Sequence, residues 1–299
     1  MKIKNRKNIN NKYIEIISDI LKTNVDNITD IHFVKKGMTN YSCYFQFQEK
    51  KYIMRIPGDG TDKLINRKEE ADVYNAIAEK KLSDNVLYIN PENGYKITEF
   101  YQDARVCNAD DWHDVAQCMK RLKEFHDMKL SVAHEFDIFR QIDFYESLWN
   151  GKQSYYEDYQ KTKSKVFSLK QYIDKHTTEL CLTHIDAVPD NFLILANGSI
   201  KLIDWEYAAM QDPHVDIAMF AIYAFYSKDQ VDKLIDIYFC CNCTREIRIK
   251  IYCYIAVGGL LWSNWCEYKE KLGIAFGEYA FRQYQYAKDY FEIVKQELF

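Results

Sequence analysis

Apolar side chains recur at Tyr13, Ile14, Ile16, Ile17, Ile20 and Leu21, a helical period that predicts a helix over Asn11 to Thr23. The period then shortens. Asp30 to Lys35, Tyr41 to Gln48 and Lys51 to Ile56 read as three strands, joined by turns at Lys36–Asn40 and Glu49-Lys50. Asp62 to Lys80 returns to the helical period, with Leu64, Ile65, Ala71, Tyr74, Ile77 and Ala78. Val86 to Asn90 and Gly94 to Phe100 predict two more strands. Beyond them the chain turns helical. Asp110 to Met128 places Val115, Met119, Leu122 and Phe125 on one stripe, and Ile142 to Trp149 and Tyr155 to His176 follow as helical segments. After a short strand-rich stretch, Asp212 to Asp216 opens a helix rich in Ala, Met and Phe, and helical segments continue from Lys228 to the C-terminus. The order predicts an α+β chain. A small antiparallel sheet with a helix occupies residues 1–101, and a larger, mostly helical part occupies 102–299.

The strand-rich stretch, Leu182 to Tyr207, reads LTHIDAVPDNFLILANGSIKLIDWEY. The apolar run Phe192 to Leu195, Asn197-Gly198 and the run Ile200 to Ile203 predict a hairpin closed by a two-residue turn. Such a hairpin would bring Asp204 back beside a loop that carries Asp186 and Asn191. Oxygen-bearing side chains, few in number and with no Cys or His set, suit Mg²⁺, which shares its shell with water and phosphate. In phosphoryl transfer by kinases, one Asp meets the hydroxyl proton, an Asn five residues on holds a metal, and a later Asp holds the metals that bridge the phosphates. His184-x-Asp186-x₄-Asn191 and Ile203-Asp204 have that spacing. A lone H-x-D would not distinguish a site from an acidic turn; the combination does.

Composition narrows the classes. With 299 residues, 47% hydrophobic and 28% charged, the chain suffices for one large or two modest domains. A net charge of −4 gives no basic field, so nucleic acid is not an expected partner. The N-terminus, MKIKNRKNINNKY, lacks an apolar core for a secretory signal. The longest apolar stretches, Ile217 to Tyr226 and Ile251 to Trp262, are too short to span a bilayer. The expected location is the cytoplasm, with the nine scattered cysteines reduced. Cys240, Cys241 and Cys243 cluster, but Cys253 alone does not complete a zinc set, so thiols packed along a helix are expected. No linker, internal repeat or signal for oligomeric state is present.

THIDAVPDNFLI followed by KLIDWEYAAMQDPHVDIAMF resembles the choline kinase branch of the aminoglycoside-phosphotransferase-like kinases, and bacterial choline kinases above all. Trp205-Glu206 follows the second Asp where protein kinases have Phe-Gly, as this branch does. The resemblance implies a two-lobed protein-kinase-like fold with ATP and Mg²⁺ as cofactors. It implies that Asp186 orients or deprotonates the acceptor hydroxyl, that Asn191 and Asp204 hold the metal, and that His184 fixes the loop. Gly37, Thr39 and Asn40 match the family's nucleotide loop, although on sequence alone one glycine in a hairpin is ordinary. Arg55 stands where protein kinases carry the phosphate-pairing Lys, and Asn66, Arg67 and Glu70 match a family pattern that makes Glu70 its partner, with Glu69 the alternative. Ile97 to Tyr101, with Glu99 and Tyr101, resembles the adenine hinge. Asp216 resembles the family's support for the catalytic loop, or is a helix cap. His126 reads as a packing residue.

Trp262 and Trp265 lie three apart on one helix face, in a chain with 24 Tyr. Trp faces attract quaternary ammonium ions by about 0.5–2 kcal/mol per contact. Spacing alone is equally that of a packed core. The resemblance implies a cage from the Leu-Trp-Ser segment at Trp262, joined by Trp265, Tyr207 and Tyr279, with Glu206 and Asp186 as the acids. The function implied is ATP-dependent phosphorylation of choline. The rivals are ethanolamine, an aminoglycoside or another small alcohol as acceptor, and a non-catalytic nucleotide-binding scaffold. The acids Glu267, Glu270 and Glu278 are mixed with Lys269 and Lys271 rather than forming the array an aminoglycoside would want.

Overall fold

The computed structural model describes residues 13–34, 40–58 and 61–298, the side chain of Asp62 excepted. In chain order the elements are α1 (residues 13–21), β1 (Thr29–Phe33), β2 (Asn40–Phe47), β3 (Lys50–Pro57), α2 (Arg67–Ile77), β4 (Val86–Ile89), β5 (Lys96–Glu99), β6 (Arg105–Val106), α3 (Trp112–Asp127), α4 (Ile138–Ser147), α5 (Tyr159–Ser168), α6 (Lys170–His176), β7 (Cys181–Thr183), β8 (Phe192–Ile194), β9 (Ile200–Leu202), β10 (Ala209–Gln211), α7 (His214–Tyr223), α8 (Lys228–Tyr238), α9 (Arg245–Lys271) and α10 (Glu278–Leu298). They divide into two compact units, Met1–Arg105 with Leu193–Glu206, and Val106–Phe192 with Tyr207–Phe299.

The first unit is built on a five-stranded sheet in the order β1-β2-β3-β5-β4, antiparallel throughout. Register carries its core. Cys43, Met54 and Ile97 sit side by side across β2, β3 and β5, all fully buried, and Phe45 extends the row. Ile17 of α1 closes over them. Because side chains alternate along a strand, Arg55 must then face the other way, as must its cross-strand neighbour Lys96. The helix expected from Asp62 begins only at Arg67. Asn66 is extended and its side chain accepts from the backbone N–H groups of Lys68 and Glu69, so it caps rather than continues the helix. The expected two-residue turn in the β8–β9 hairpin is a three-residue one. Leu195 pairs with Ser199, the N–H of Gly198 returns to the Leu195 carbonyl, and only Gly198 is left-handed, at φ 79°. Asn197 instead accepts from the Ser199 N–H and hydroxyl, a local turn that needs no positive φ.

The second unit is mostly helical. The single helical segment expected over Tyr155 to His176 divides at Leu169 into α5 and α6, where the Ser168 hydroxyl takes the Lys165 carbonyl. Cys240 and Cys241 do not pack along a helix. They lie past the end of α8 with φ 50° and 61°, exposed, and the Cys241 N–H closes on the Asp236 carbonyl. Among the described residues no group of three His, Cys, Asp or Glu could hold a metal ion, and no helix is long and apolar enough to cross a membrane.

The core of this unit is α9, buried from Ile249 to Lys269 and packed on α10, α7 and α4. Gly259 lets α10 approach: a Cβ there would sit 2.6 Å from the Gln283 carbonyl oxygen and 2.9 Å from the Ala287 nitrogen. Both are backbone atoms and cannot swing away. Gly258 faces only flexible ends, Ile222 Cδ1 and Met219 Sδ and Cε, each at 3.3 Å. Gly259→Ala is expected to destabilise by about 1–3 kcal/mol. Gly258→Ala should be near neutral, since helix propensity favours Ala by about 1 kcal/mol. Thermal denaturation of the two variants side by side checks this, and equal midpoints would contradict it.

Candidate active site

On the first unit's sheet, Arg55 leaves β3 opposite Met54 and meets a carboxylate from α2. Its two terminal nitrogens donate to the two oxygens of Glu70 at 2.5 and 2.7 Å, and one also reaches the Gly94 carbonyl at 3.2 Å. The carboxylate that meets it is Glu70; Glu69, one residue earlier on the helix, is only half-buried. Glu70 is shared. Arg67 donates to it at 2.9 Å, and the Lys96 ammonium lies 3.5 Å away while donating to the Tyr74 hydroxyl at 2.6 Å. Burial alone would raise the Glu70 carboxyl, but Lys96 and then Arg55 and Arg67 hold it at about 2. A buried carboxylate among three cations is fixed in charge and position.

Asp204 and Glu206 follow the β8–β9 hairpin on the same unit. Trp205, fully buried, donates its indole N–H to the Leu202 carbonyl at 2.7 Å and anchors the chain between them. Glu206 is buried, with Asn40 and Arg67 donating to it at 3.0 and 3.1 Å and the Arg55 guanidinium 3.5 Å away. Asn40 in turn accepts from Arg67. Asp204 stands apart: 37% of its side chain is exposed, and Arg55 is 3.9 Å away. Burial by its surroundings, and next the Glu206 charge, push its carboxyl up to about 7. Its backbone is left-handed, φ 66°, a conformation that costs energy for any residue but glycine and that is stored where a side chain must be aimed.

Gly37 and Thr39 lie outside the described residues. Glu99 and Tyr101 flank the end of β5, where the Glu99 carboxylate accepts from the Asn85 amide at 2.6 Å and the Tyr101 hydroxyl from the Asn85 N–H.

In the second unit, β7 pairs with β10 and runs straight into the loop His184-Ile185-Asp186. Ile185 is buried at φ 69°, an outlier for a β-branched residue. Asp216 holds it there: its two carboxylate oxygens accept the backbone N–H groups of His184 at 2.9 Å and Ile185 at 2.7 Å. Asp216 does not cap α7, whose capping position is Pro213. His126 and Tyr238 complete the support, with His126 ring nitrogens 2.9 Å from Asp216 and 2.7 Å from the Tyr238 hydroxyl. A 3₁₀ turn, Pro189–Asn191, then folds Asn191 back so that its amide donates to the Asp186 carbonyl at 2.8 Å and to Asp186 Oδ2 at 3.1 Å. The Tyr223 hydroxyl takes Asp190 at 2.6 Å.

The aromatic residues of this unit form a connected set. Tyr207 meets Trp262 edge-on at 5.6 Å, Trp262 meets Trp265 at 5.9 Å, Trp265 meets Phe276 at 5.1 Å, and Phe276 meets Tyr279 at 6.5 Å. Trp262 also donates to Met219 Sδ. Burial first, and then charges that include Asp186, raise the Tyr279 hydroxyl well above its ordinary value.

Asp186 and Asn191 therefore lie together, as do Arg55, Glu70, Asn40, Asp204 and Glu206, and as do the aromatic residues Tyr207, Trp262, Trp265 and Tyr279, the last through Phe276. Spacing along the chain gives Lys96 no role. The available signal was its alternation with buried Ile97, which puts it on the face of Arg55 once β3 and β5 are paired. Arg67 was legible only as part of a pattern, not as a third cation on Glu70.

Comparison with known proteins gives this arrangement its context. The family model described as choline/ethanolamine kinase matches residues 31–238. Protein LicA of Haemophilus influenzae is 30% identical over 263 residues, 83% of this chain and 76% of that protein. The crystal structure of choline kinase LicA from Streptococcus pneumoniae superposes with a TM-score of 0.83 at 28% identity, covering 96% of this chain and 99% of that one. A structure of LicA in complex with AMP gives 0.77 at 28% identity, covering 89% and 92%. The α+β architecture, a small antiparallel sheet lobe and a larger helical lobe, is the protein-kinase-like fold. The chain belongs to the choline/ethanolamine kinase family, and is a phosphotransferase of that kind.

Proposed function

We propose that this chain transfers the γ-phosphate of ATP to the hydroxyl of choline to give phosphocholine. The observation that carries the reading is the run of ring contacts through Tyr207, Trp262, Trp265, Phe276 and Tyr279, in the same unit as Asp186. A trimethylammonium group wants aromatic faces and a counter-charge, and no hydrogen-bond acceptors. The choline kinase and the AMP complex among the similar structures support the acceptor and the adenine nucleotide.

In this reading Asp186, steadied by the Asn191 amide, accepts the choline hydroxyl proton. Arg55, fixed by Glu70, meets the phosphate oxygens, with Gly37, Thr39 and Asn40 covering them and Glu99 to Tyr101 at the adenine. Mg²⁺ fits the donor chemistry. Asn191 and Asp204 offer only oxygen, and a carboxyl raised to about 7 by its neighbours is one whose ionisation a divalent cation would favour. When bound, the ion would neutralise phosphate charge. The Glu206 charge is already met by Arg55 and Arg67, so we assign it to holding those cations; recognition of the trimethylammonium falls to Tyr207, Trp262, Trp265 and Tyr279 with Asp186. Glu267 is likewise engaged, by Ser154 and the Tyr155 N–H, with Lys271 3.5 Å away. Residues 1–101 would handle the nucleotide, with Asp204 returned to them by the hairpin, and 102–299 the acceptor. ATP as donor sets the reaction in the cytoplasm.

The test is coupled ADP release with Mg-ATP against choline, ethanolamine and a small aminoglycoside panel. Saturable turnover with choline alone is expected; preference for another acceptor would keep the catalytic residues and discard the cage. Trp262→Leu keeps apolar bulk and removes the indole face. It is expected to raise the choline KM by about 3–30-fold with a smaller change in kcat. An unchanged KM would remove Trp262 from the site.

A further inference from the structure

A second charged cluster lies inside the helical unit, and the proposed chemistry does not use it. Lys250 on α9 is 1% exposed; its ammonium donates to Asp212 Oδ2 at 2.5 Å and to the His176 carbonyl at 2.9 Å. Asp212 is as deeply buried. The same Oδ2 accepts the hydroxyls of Thr177 at 3.0 Å and Tyr254 at 3.3 Å, while Oδ1 accepts the backbone N–H of His214 at 3.0 Å. His214 Nδ1 is 3.0 Å from Oδ1. Burial opposes the charge on Asp212, but His214 and then Lys250 hold its carboxyl far below the usual range. The His214 imidazole is pushed down, by burial before all else and further by the Lys250 charge. The resting cluster is one ammonium, one carboxylate and one neutral imidazole, with no net charge.

Its place in the chain matters more than its stability. Asp212 follows β10, whose partner β7 leads into His184 and Ile185. It also precedes Pro213, the uncapped start of α7, and its bond to the His214 N–H does the work of a cap. Asp216, one turn further on, holds the two loop amides. Both supports of the catalytic loop therefore start from Asp212. Lys250 reaches it from α9, the helix that carries Trp262 and Trp265 about three and four turns later.

We propose that Lys250 is a positioning residue that, through Asp212, sets the catalytic loop beneath Asp216 in register with the helix bearing the aromatic side chains, and that His214 takes over its charge when it is removed. The proposal rests on Asp186 as the reacting carboxylate. Removing the ammonium leaves Asp212 buried beside neutral groups, which strongly favours uptake of a proton by the cluster. The titratable groups around Asp212 and His214 are Lys250 and Tyr254 of α9, His126 of α3 and Tyr238 of α8.

Lys250→Met is expected to lower kcat about 10²-fold relative to wild type at pH 8, and less than about 5-fold at pH 6, with the ATP KM unchanged. Lys250→Met/His214→Gln should lose the recovery at pH 6. Amide exchange at His184 and Ile185, relative to wild type at each pH, should be faster in Lys250→Met at pH 8 and return at pH 6. Exchange needs no acceptor: if wild type fails to phosphorylate choline, the acceptor reading falls while exchange still decides the role of Lys250. An equal loss at both pH values, or recovery that survives His214→Gln, overturns the proposal. Should Lys250→Met not fold at pH 8, Lys250→Arg keeps the charge and moves its centre; it is expected to lower kcat about 3–10-fold with little change in Tm, and an unchanged kcat overturns the proposal.

Discussion

Asp186→Asn is expected to bind ATP with nearly unchanged KM and to turn over about 10²–10⁴-fold more slowly than wild type. The substitution is nearly isosteric, so the loop should keep its form: Ile185 stays held by Asp216, and Asn191 can still donate to the remaining carbonyl oxygen at position 186. What goes is the charge proposed to accept the proton. Because little covalent work is asked of the protein in phosphoryl transfer, positioning would survive and set the residual rate. Steady-state kinetics with saturating Mg-ATP checks this, alongside circular dichroism to show the fold intact. A kcat within about threefold of wild type would mean that the proton leaves by another route, and Asp186 would revert to a loop residue.

Asp204→Asn is expected to lower kcat by about 10²–10³-fold, with partial recovery as Mg²⁺ is raised. The same variant makes a second prediction with a definite sign. The Asp204 carboxyl is raised from 3.8 to about 7, so between those values the folded chain holds a proton that the unfolded chain has released. Stability in the absence of Mg²⁺ and nucleotide therefore falls as pH rises through that window. Asn cannot ionise and escapes the loss. The variant should melt higher than wild type at pH 8, and the difference should shrink toward pH 5. With 37% of the side chain open to water the gain is damped, so the direction rather than its size is the test. A variant that melts lower at pH 8 would show that Asp204 is a stabilising partner of Arg55 and not a charge held ready for a cation. Activity lost together with stability gained is the pattern of a residue kept for function.

Asp186 falls on a position that spacing singled out, and the reason is local. Asp186 and Asn191 lie within one short loop and a 3₁₀ turn, so five residues of sequence nearly define their separation. The antiparallel sheet and the helical stripes were equally legible, because each depends on a period of two or 3.6 residues. So was the opposition of Arg55 and Met54, which alternation along β3 requires. The errors sit where a side chain competes with the backbone: Asn66 delaying α2, Asn197 forming its own turn and leaving Gly198 the left-handed position, Ser168 dividing α5 from α6. Periodicity carries no trace of that competition.

The local geometry around Asp186 and Asn191 was thus determined by the sequence, because there neighbours in space are neighbours in the chain. Tertiary structure decided which charges are shared. Lys96 and Arg67 join Arg55 on Glu70 only because β3 pairs with β5 and α2 lies across them. Glu206, an acid beside an aromatic residue in the sequence, has its charge taken up by Arg55 and Arg67. Lys250 meets Asp212 across 38 residues, and Asp216 meets His184 across 32. Buried charges must find partners, and the partner is set by the packing of whole elements rather than by any spacing along the chain.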